Sequence, residues 1–171
     1  MNIIGIMAMT KDGVIGCSSS NTGLPWYYPE EIKHFSFTTL NNIIIMGSKT
    51  YYFLSKKFLS SRFTIVLSRQ NNIKLPFATI CSSLEDCINI LTKITLNKPK
   101  SKIYMIGGAT IAELFIKSQL LSYFLLTEIH YPYQGDIHLD MKYFQNCNKI
   151  IITKCKNYTI FLLKFKHYLL K

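Results

Sequence analysis

Four short runs in this chain are apolar without inward–outward alternation: "NIIGIMAM" (Asn2 to Met9), "NIIIMG" (Asn42 to Gly47), "RFTIVLS" (Arg62 to Ser68) and "KIYMIGG" (Lys102 to Gly108). A strand that is apolar on both sides must be covered on both sides, which is the situation of a parallel sheet sandwiched by helices. Runs this short are also below the usual length of a buried helix. Helical patterns lie between them. The alternation, followed by strands alone at the end, predicts an α/β domain with a central, mainly parallel sheet and an antiparallel C-terminal hairpin.

The remaining segments fit that frame. Residues 10–28 read as one long loop, with "KDGVIG" and "NTGLP" as turn signals, and a loop of that length in a compact domain is usually functional. A helix is expected from Pro29, which suits the first helical position, to about Leu40. "SKTYYFLS" reads as a short helix and Ala78 to Cys81 as a short strand. "SSLEDCINILTKI" opens with Ser82 and Glu85 at capping-box spacing. Its Leu84, Ile88 and Leu91 fall on one helical face. "ATIAELFIKS" reads as a helix, and "SYFLLTEIHY", "KIIITKCK" and "YTIFLLKFKHYLL" as strands, the last two divided by a turn at Asn157. No repeat or linker interrupts the chain, so a single domain over 1–171 is expected.

Composition narrows the function classes. With 49% hydrophobic and 17% charged residues over 171 positions, the chain has the material for one sizeable core. No apolar run is long enough for a membrane-spanning helix, and the N-terminus lacks the basic region of a signal peptide. Five cysteines (17, 81, 87, 147 and 155) without a CxxC pair point to free thiols in a reducing cytoplasm, not to zinc or disulfides. His34, His130, His138 and His167 form no metal-binding spacing. The net charge of +11 comes from scattered lysines. Such diffuse charge gives non-specific attraction only, so neither a nucleic-acid partner nor a membrane is expected. Tyr158, Phe161, Phe165 and Tyr168 alternate unevenly, as core residues do. Arg62 and Arg69 stand out in a chain that otherwise uses lysine. Each is either an ordinary surface residue or a planar fork for a carboxylate or phosphate.

"LPWYYPEEIKHF" (Leu24 to Phe35) places two adjacent glutamates after the single tryptophan, in a chain with nine acidic residues. Glu30 lines up with Lys33 and His34 on a polar face and serves the helix dipole. Glu31 shares a face with Ile32 and Phe35. It is either a second helix-start charge or an inward carboxyl whose burial makes it an acid/base group.

Taken together, "DGVIG", "LPWYYPEEIKHF", "IIIMGSKT", "IVLSRQ" and "IYMIGGATIAELF", in this order, resemble the dihydrofolate reductase family over nearly the whole chain. The resemblance implies reduction of dihydrofolate to tetrahydrofolate by hydride from NADPH, in a cytoplasmic monomer without a metal. It implies that Glu31 binds the pterin and promotes protonation at N5. Trp26 and Thr127 then order the surroundings of that carboxyl, and Leu24 lies on a mobile loop closing over the nicotinamide. Ile6, Met7, Ala8, Ile32, Phe35 and Ile106 would line the pterin pocket, and Arg62 would grip the glutamate tail. Ala8, Ile15, Gly16, Gly47, Ser48, Lys49, Thr50, Gly107, Gly108, Ala109, Thr110 and Ile111 would hold the cofactor. Leu67, Ser68, Arg69 and Gln70 would recognise its 2′-phosphate, and Gly107–Gly108 would be a cis peptide. Asp136 would steady the mobile loop near Gly16. A fused thymidylate synthase is not expected.

Four positions depart from the family pattern: Ser48 replaces a common basic residue, Ala112 a common tyrosine, "GDIHLD" an aromatic-proline ending, and "FLSSR" lacks a Pro-Gly. Two competing readings are a related NADPH-dependent pyrimidine reductase and a non-catalytic basic binding protein on the same scaffold.

Overall fold

The computed structural model describes residues 1–70 and 73–165. Its strands are β1 (Ile3–Thr10), β2 (Val14–Gly16), β3 (Ile43–Gly47), β4 (Phe63–Leu67), β5 (Ala78–Cys81), β6 (Ile103–Gly107), β7 (Leu121–Ile129), β8 (Ile137–His138), β9 (Asn148–Lys154) and β10 (Tyr158–Lys164). Its helices are α1 (Pro29–Thr39), α2 (Ser48–Tyr52), α3 (Lys56–Ser60), α4 (Leu84–Asn97) and α5 (Ala109–Lys117), with a 3-10 turn at Met141–Phe144.

Eight strands form one sheet in the order β5-β4-β3-β6-β1-β7-β10-β9. Neighbours are parallel from β5 to β7, and β10 runs antiparallel to both β7 and β9. This is the expected α/β arrangement with its C-terminal hairpin. Ile43 to Met46 and Ile103 to Met105 are buried throughout, because helices cover both faces of these central strands and leave no solvent side to alternate toward. One core layer joins Leu91, Met105, Phe115 and Phe124; another, on the opposite face, joins Ile44, Met46, Leu59 and Tyr104.

Several local expectations are corrected. The segment 10–28 is not all loop: Val14–Gly16 pairs antiparallel with Ile137–His138. The cap of α4 is Ser83, not Ser82. Ser83 takes the extended N-cap conformation and its hydroxyl accepts from the Asp86 N–H. Ser82 instead donates to the Asp86 carboxylate at 2.7 Å. Two consecutive serines, each followed three residues later by an acid, make both registers legible in sequence, and the burial of Cys87 and Leu91 selects one. The helix expected at "SKTYYFLS" is α2, and a second helix, α3, follows it, capped by Ser55 accepting from the Phe58 N–H. Expectations for His167, Tyr168 and the end of the last strand fall outside the described residues. No helix among the described residues is long and apolar enough to cross a membrane.

Candidate active site

Chain order makes the cleft. The chain passes from β1 to β3, out to β5, then back to place β6 between β3 and β1. In open α/β sheets, ligands sit beyond the carboxyl ends of strands near such a reversal. The N-termini of α2 and α5 directly follow β3 and β6 there, and α1 begins at the same edge.

α1 turns one stripe inward: Glu31, Phe35 and Thr39, four residues apart. Glu31 is 6% exposed and Thr39 fully buried, while Phe35 is half-buried. Ile32, about 100° further round the helix, is 38% exposed and does not share the buried stripe. His34 also departs from expectation. Glu30 and Lys33 are exposed, but His34 is half-buried, its Nε2 has no protein partner, and burial lowers its pKa.

Glu31 meets the sheet at Thr127, itself buried on β7 between Ala8 of β1 and Ile160 of β10. Desolvation pushes the Glu31 carboxyl up to about 7, with the Thr127 side chain acting in the opposite sense. Trp26, 4% exposed, packs among Val14, Ile129, Tyr158 and Ile160. Its indole N–H has no protein acceptor. Tyr158 connects the two residues: it packs in the Trp26 cluster, and burial first, then Cys155, and last Glu30 and Glu31, raise its pKa to about 12.

Arg62 enters at the other end of the stripe. Its Nε donates to Thr39 Oγ1 at 3.0 Å, one terminal nitrogen to the Phe58 carbonyl and Ser61 Oγ, and the other to the Ser36 carbonyl and Oγ. The guanidinium lies over the Phe58 ring, which stacks on Phe35 at 5.6 Å. Arg62 is therefore no ordinary surface residue. Arg69, beyond the end of β4, is exposed.

A second group of residues converges at the ends of β3 and β6. A Cβ on Gly47 would lie 3.1 Å from Ile111, one on Gly108 3.3 Å from Thr50 Oγ1, and one on Gly107 2.8 Å from Met7 Cε. The three glycines thus allow Met7, Thr50 and Ile111 to close around bare backbone. The Gly107–Gly108 peptide bond is cis. Gly47 is the N-cap of α2 and Gly108 that of α5. Ser48 and Ala109 are half-buried there, and Lys49 and Thr110 are exposed. Leu67 and Ser68 are buried at the end of β4. Ser68 and Gln70 border a cleft of about 580 Å³ shared with Cys81, Asp86 and Lys93. Ala112 is fully buried in the core.

The loop after β1 is tied at several points. Ile15 and Gly16 are buried in β2, and Leu24 is half-buried. The Ser18 N–H donates to Asp136 Oδ1 at 2.7 Å, and its hydroxyl to Asp136 Oδ2. Asp136 therefore reaches the loop at Ser18, two residues beyond Gly16. Ile6 and Ile106 are buried in one apolar cluster, while Ala8 borders Trp26. Among the described residues, no group of His, Cys, Asp and Glu side chains could hold a metal ion. Sequence reasoning missed Phe53, Phe58, Tyr133 and Asp86. Phe53, Phe58 and Tyr133 carried no spacing signal, and the spacing of Asp86 from Ser83 marked a helix cap only.

Comparison with known proteins shows what the chain and its fold are similar to. The chain is 31% identical to dihydrofolate reductase of Lactococcus lactis over 138 residues, 80% of this chain and 76% of that protein. It is 31% identical to the Mycoplasma genitalium dihydrofolate reductase over 135 residues, 78% and 80% of the two chains. Its fold matches dihydrofolate reductase from Enterococcus faecalis, complexed with NADP(H) and RAB-propyl, with a TM-score of 0.72. That match has 21% identity and covers 95% of this chain and 94% of the other. The dihydrofolate reductase profile itself matches residues 2–166, and the chain belongs to the dihydrofolate reductase family.

Proposed function

We infer that this protein reduces 7,8-dihydrofolate to 5,6,7,8-tetrahydrofolate with NADPH. The observation that carries the reading is Glu31, a buried carboxyl held up to about 7 by desolvation, at the inward start of α1 in a chain of this family. When bound, NADPH supplies the hydride, and solvent supplies the proton that completes the reduction at N5.

The residues present fit that cofactor. Gly47 and Gly108 are the N-caps of α2 and α5, where backbone N–H groups, with Thr50 and Lys49 in the first turn of α2, would hold a pyrophosphate. Helix α2 is a single turn, so it offers backbone N–H groups more than a long dipole. Ser68 and Gln70 border the adjoining cleft, where with Arg69 they would take the 2′-phosphate. Ala8, Ile15, Gly16, Ala109, Thr110 and Ile111 complete the set.

Glu31 fixes the pterin and holds a proton at its carboxyl oxygen near neutral pH, where a general acid is most effective. Thr127 orients that carboxyl, and the Trp26 N–H is left for a water or ligand acceptor. Leu24 and the loop tied by Asp136 exclude solvent. Ile6, Met7, Ile32, Phe35 and Ile106 supply apolar walls, and Arg62 meets the glutamate tail. Five cysteines, all free thiols, suit a reducing cytoplasm.

The test is loss of NADPH absorbance on adding dihydrofolate to purified protein, with Glu31→Gln alongside. Turnover that collapses in Glu31→Gln, but not in Glu30→Gln, is expected. No turnover by folded wild-type protein, or equal small effects of both substitutions, overturns the reading.

A further inference from the structure

The helix that carries Glu31 starts without a side-chain cap. Its N-cap residue is Tyr28, in extended conformation. An N-cap serine, threonine, asparagine or aspartate ordinarily supplies such a cap. Pro29 favours the first turn, and the Tyr28 carbonyl accepts from the Ile32 N–H at 3.0 Å. None of this sets the helix against the sheet.

A long-range contact does. The hydroxyls of Tyr28 and Tyr133 lie 3.1 Å apart, across 105 positions of sequence. The Tyr133 ring is tilted against Trp26 at 5.9 Å and meets Tyr28 edge-on at 6.4 Å. Tyr131 backs it at 4.8 Å. On its other side Tyr28 touches Tyr158, at 6.1 Å. Three residues beyond Tyr133, Asp136 holds Ser18. One loop therefore grips the Trp26 side chain, the first residue of the α1 cap and the loop that leads to both.

We propose that Tyr133 is a positioning residue for the reaction: its ring braces Trp26 and its hydroxyl pins Tyr28, and together they set how deeply the start of α1 seats Glu31 against the sheet. The inference rests on the reading of Glu31 as the carboxyl that holds the proton. Thr127 faces Glu31 from β7 and Tyr158 from β10. Glu30 neighbours it on α1. Tyr133 acts through Trp26 and Tyr28.

The seating of Glu31 is readable as a titration midpoint, since desolvation raises a carboxyl and water entry lowers it. The experiment compares wild type, Tyr133→Leu, Tyr133→Phe, Tyr28→Phe and the double Phe variant. Three quantities are measured: the pH midpoint of kcat/KM for dihydrofolate, the Kd for NADPH, and the pH midpoint of Trp26 fluorescence. Glu31→Gln identifies which fluorescence transition belongs to Glu31. Tyr133→Leu is expected to move both midpoints down by about one pH unit, and to lower kcat by roughly tenfold, with the NADPH Kd unchanged. Each single Phe variant should give a smaller shift in the same direction. The double Phe variant should be no worse than either, because one shared hydrogen bond is lost only once.

Unchanged midpoints in a folded Tyr133→Leu protein, or additive effects of the two Phe substitutions, overturn the proposal. If Tyr133→Leu does not fold, the Phe variants decide by the same criteria. If wild-type protein turns over no dihydrofolate, the functional reading falls. The fluorescence midpoint then still decides the positioning role, since it needs no turnover.

Discussion

The guanidinium of Arg62 lies 3.5 Å from the centre of the Phe58 ring, and its five N–H groups are directed at Thr39, Ser36, Ser61 and the Phe58 carbonyl. A buried arginine with every donor engaged is held rigidly. It meets an incoming carboxylate only by sharing or exchanging these partners. Arg62→Ala is therefore expected to do two things at once. It removes a charge-assisted contact of about 1.5–3 kcal/mol, so KM for dihydrofolate should rise by roughly tenfold to a hundredfold while kcat changes little. It also orphans the acceptors, so the melting temperature should fall. Steady-state kinetics and thermal melts of one preparation check both. An unchanged KM would show that the tail contact lies elsewhere.

Glu31 predicts a pH dependence of stability with a definite sign. Its ordinary value is 4.5 and the folded value is about 7, so the folded state binds the proton more tightly than the unfolded state. Stability from the neutral carboxyl is fully present below about 4.5 and is lost as pH rises through about 7. The shift corresponds to about 3 kcal/mol. Denaturant melts of wild type and Glu31→Gln, compared from pH 4 to 8, should diverge in that window, with the variant more stable at the alkaline end. Parallel curves would mean the carboxyl is not desolvated.

Asp136 couples the segment before β8 to the loop after β1, and the Ser18 contacts hold its carboxyl below the usual range. The carboxylate is thus ionised at every pH where the enzyme would work. Asp136→Ala should lower kcat severalfold with little change in melting temperature, because the contacts are exposed to solvent. Transient kinetics should place the loss in steps that need a closed loop. A large thermal destabilisation would instead make Asp136 part of the folding core.

Gly23 sits at φ +74°, and a Cβ there would come within 2.8 Å of the Phe53 ring. Gly23→Ala should therefore push the loop off Phe53 as well as strain the backbone, and raise KM for NADPH or dihydrofolate. Adding Phe53→Ala should recover part of the steric effect and leave the backbone cost of about 1–2 kcal/mol. Purely additive effects in the double-mutant cycle would show that the two residues do not press on each other.

Much of this fold was legible in the chain. Ile43 to Met46 and Ile103 to Met105 are apolar on both sides, and only a doubly covered strand satisfies that. Pro29 marked the start of α1, and the order of motifs identified Glu31 as the carboxyl to watch. Local pattern was weaker where two registers were equally good, as with Ser82 and Ser83, or where short helices sat end to end, as with α2 and α3.

What sequence left open was decided by contacts between residues far apart. Whether Glu31 is a dipole charge or a desolvated acid depends on its burial against the sheet, where Thr127 of β7 meets it and offsets part of the desolvation. Arg62 is buried only because Ser36, Thr39 and Phe58, on two helices, supply acceptors and a ring. Tyr133 reaches Tyr28 only once the sheet has closed. Helical and strand periodicity are properties of neighbouring residues, so the chain displays them directly. Burial, and with it the pKa and hydrogen-bond state of each polar group, is set by what packs from elsewhere, and only the folded structure supplies it.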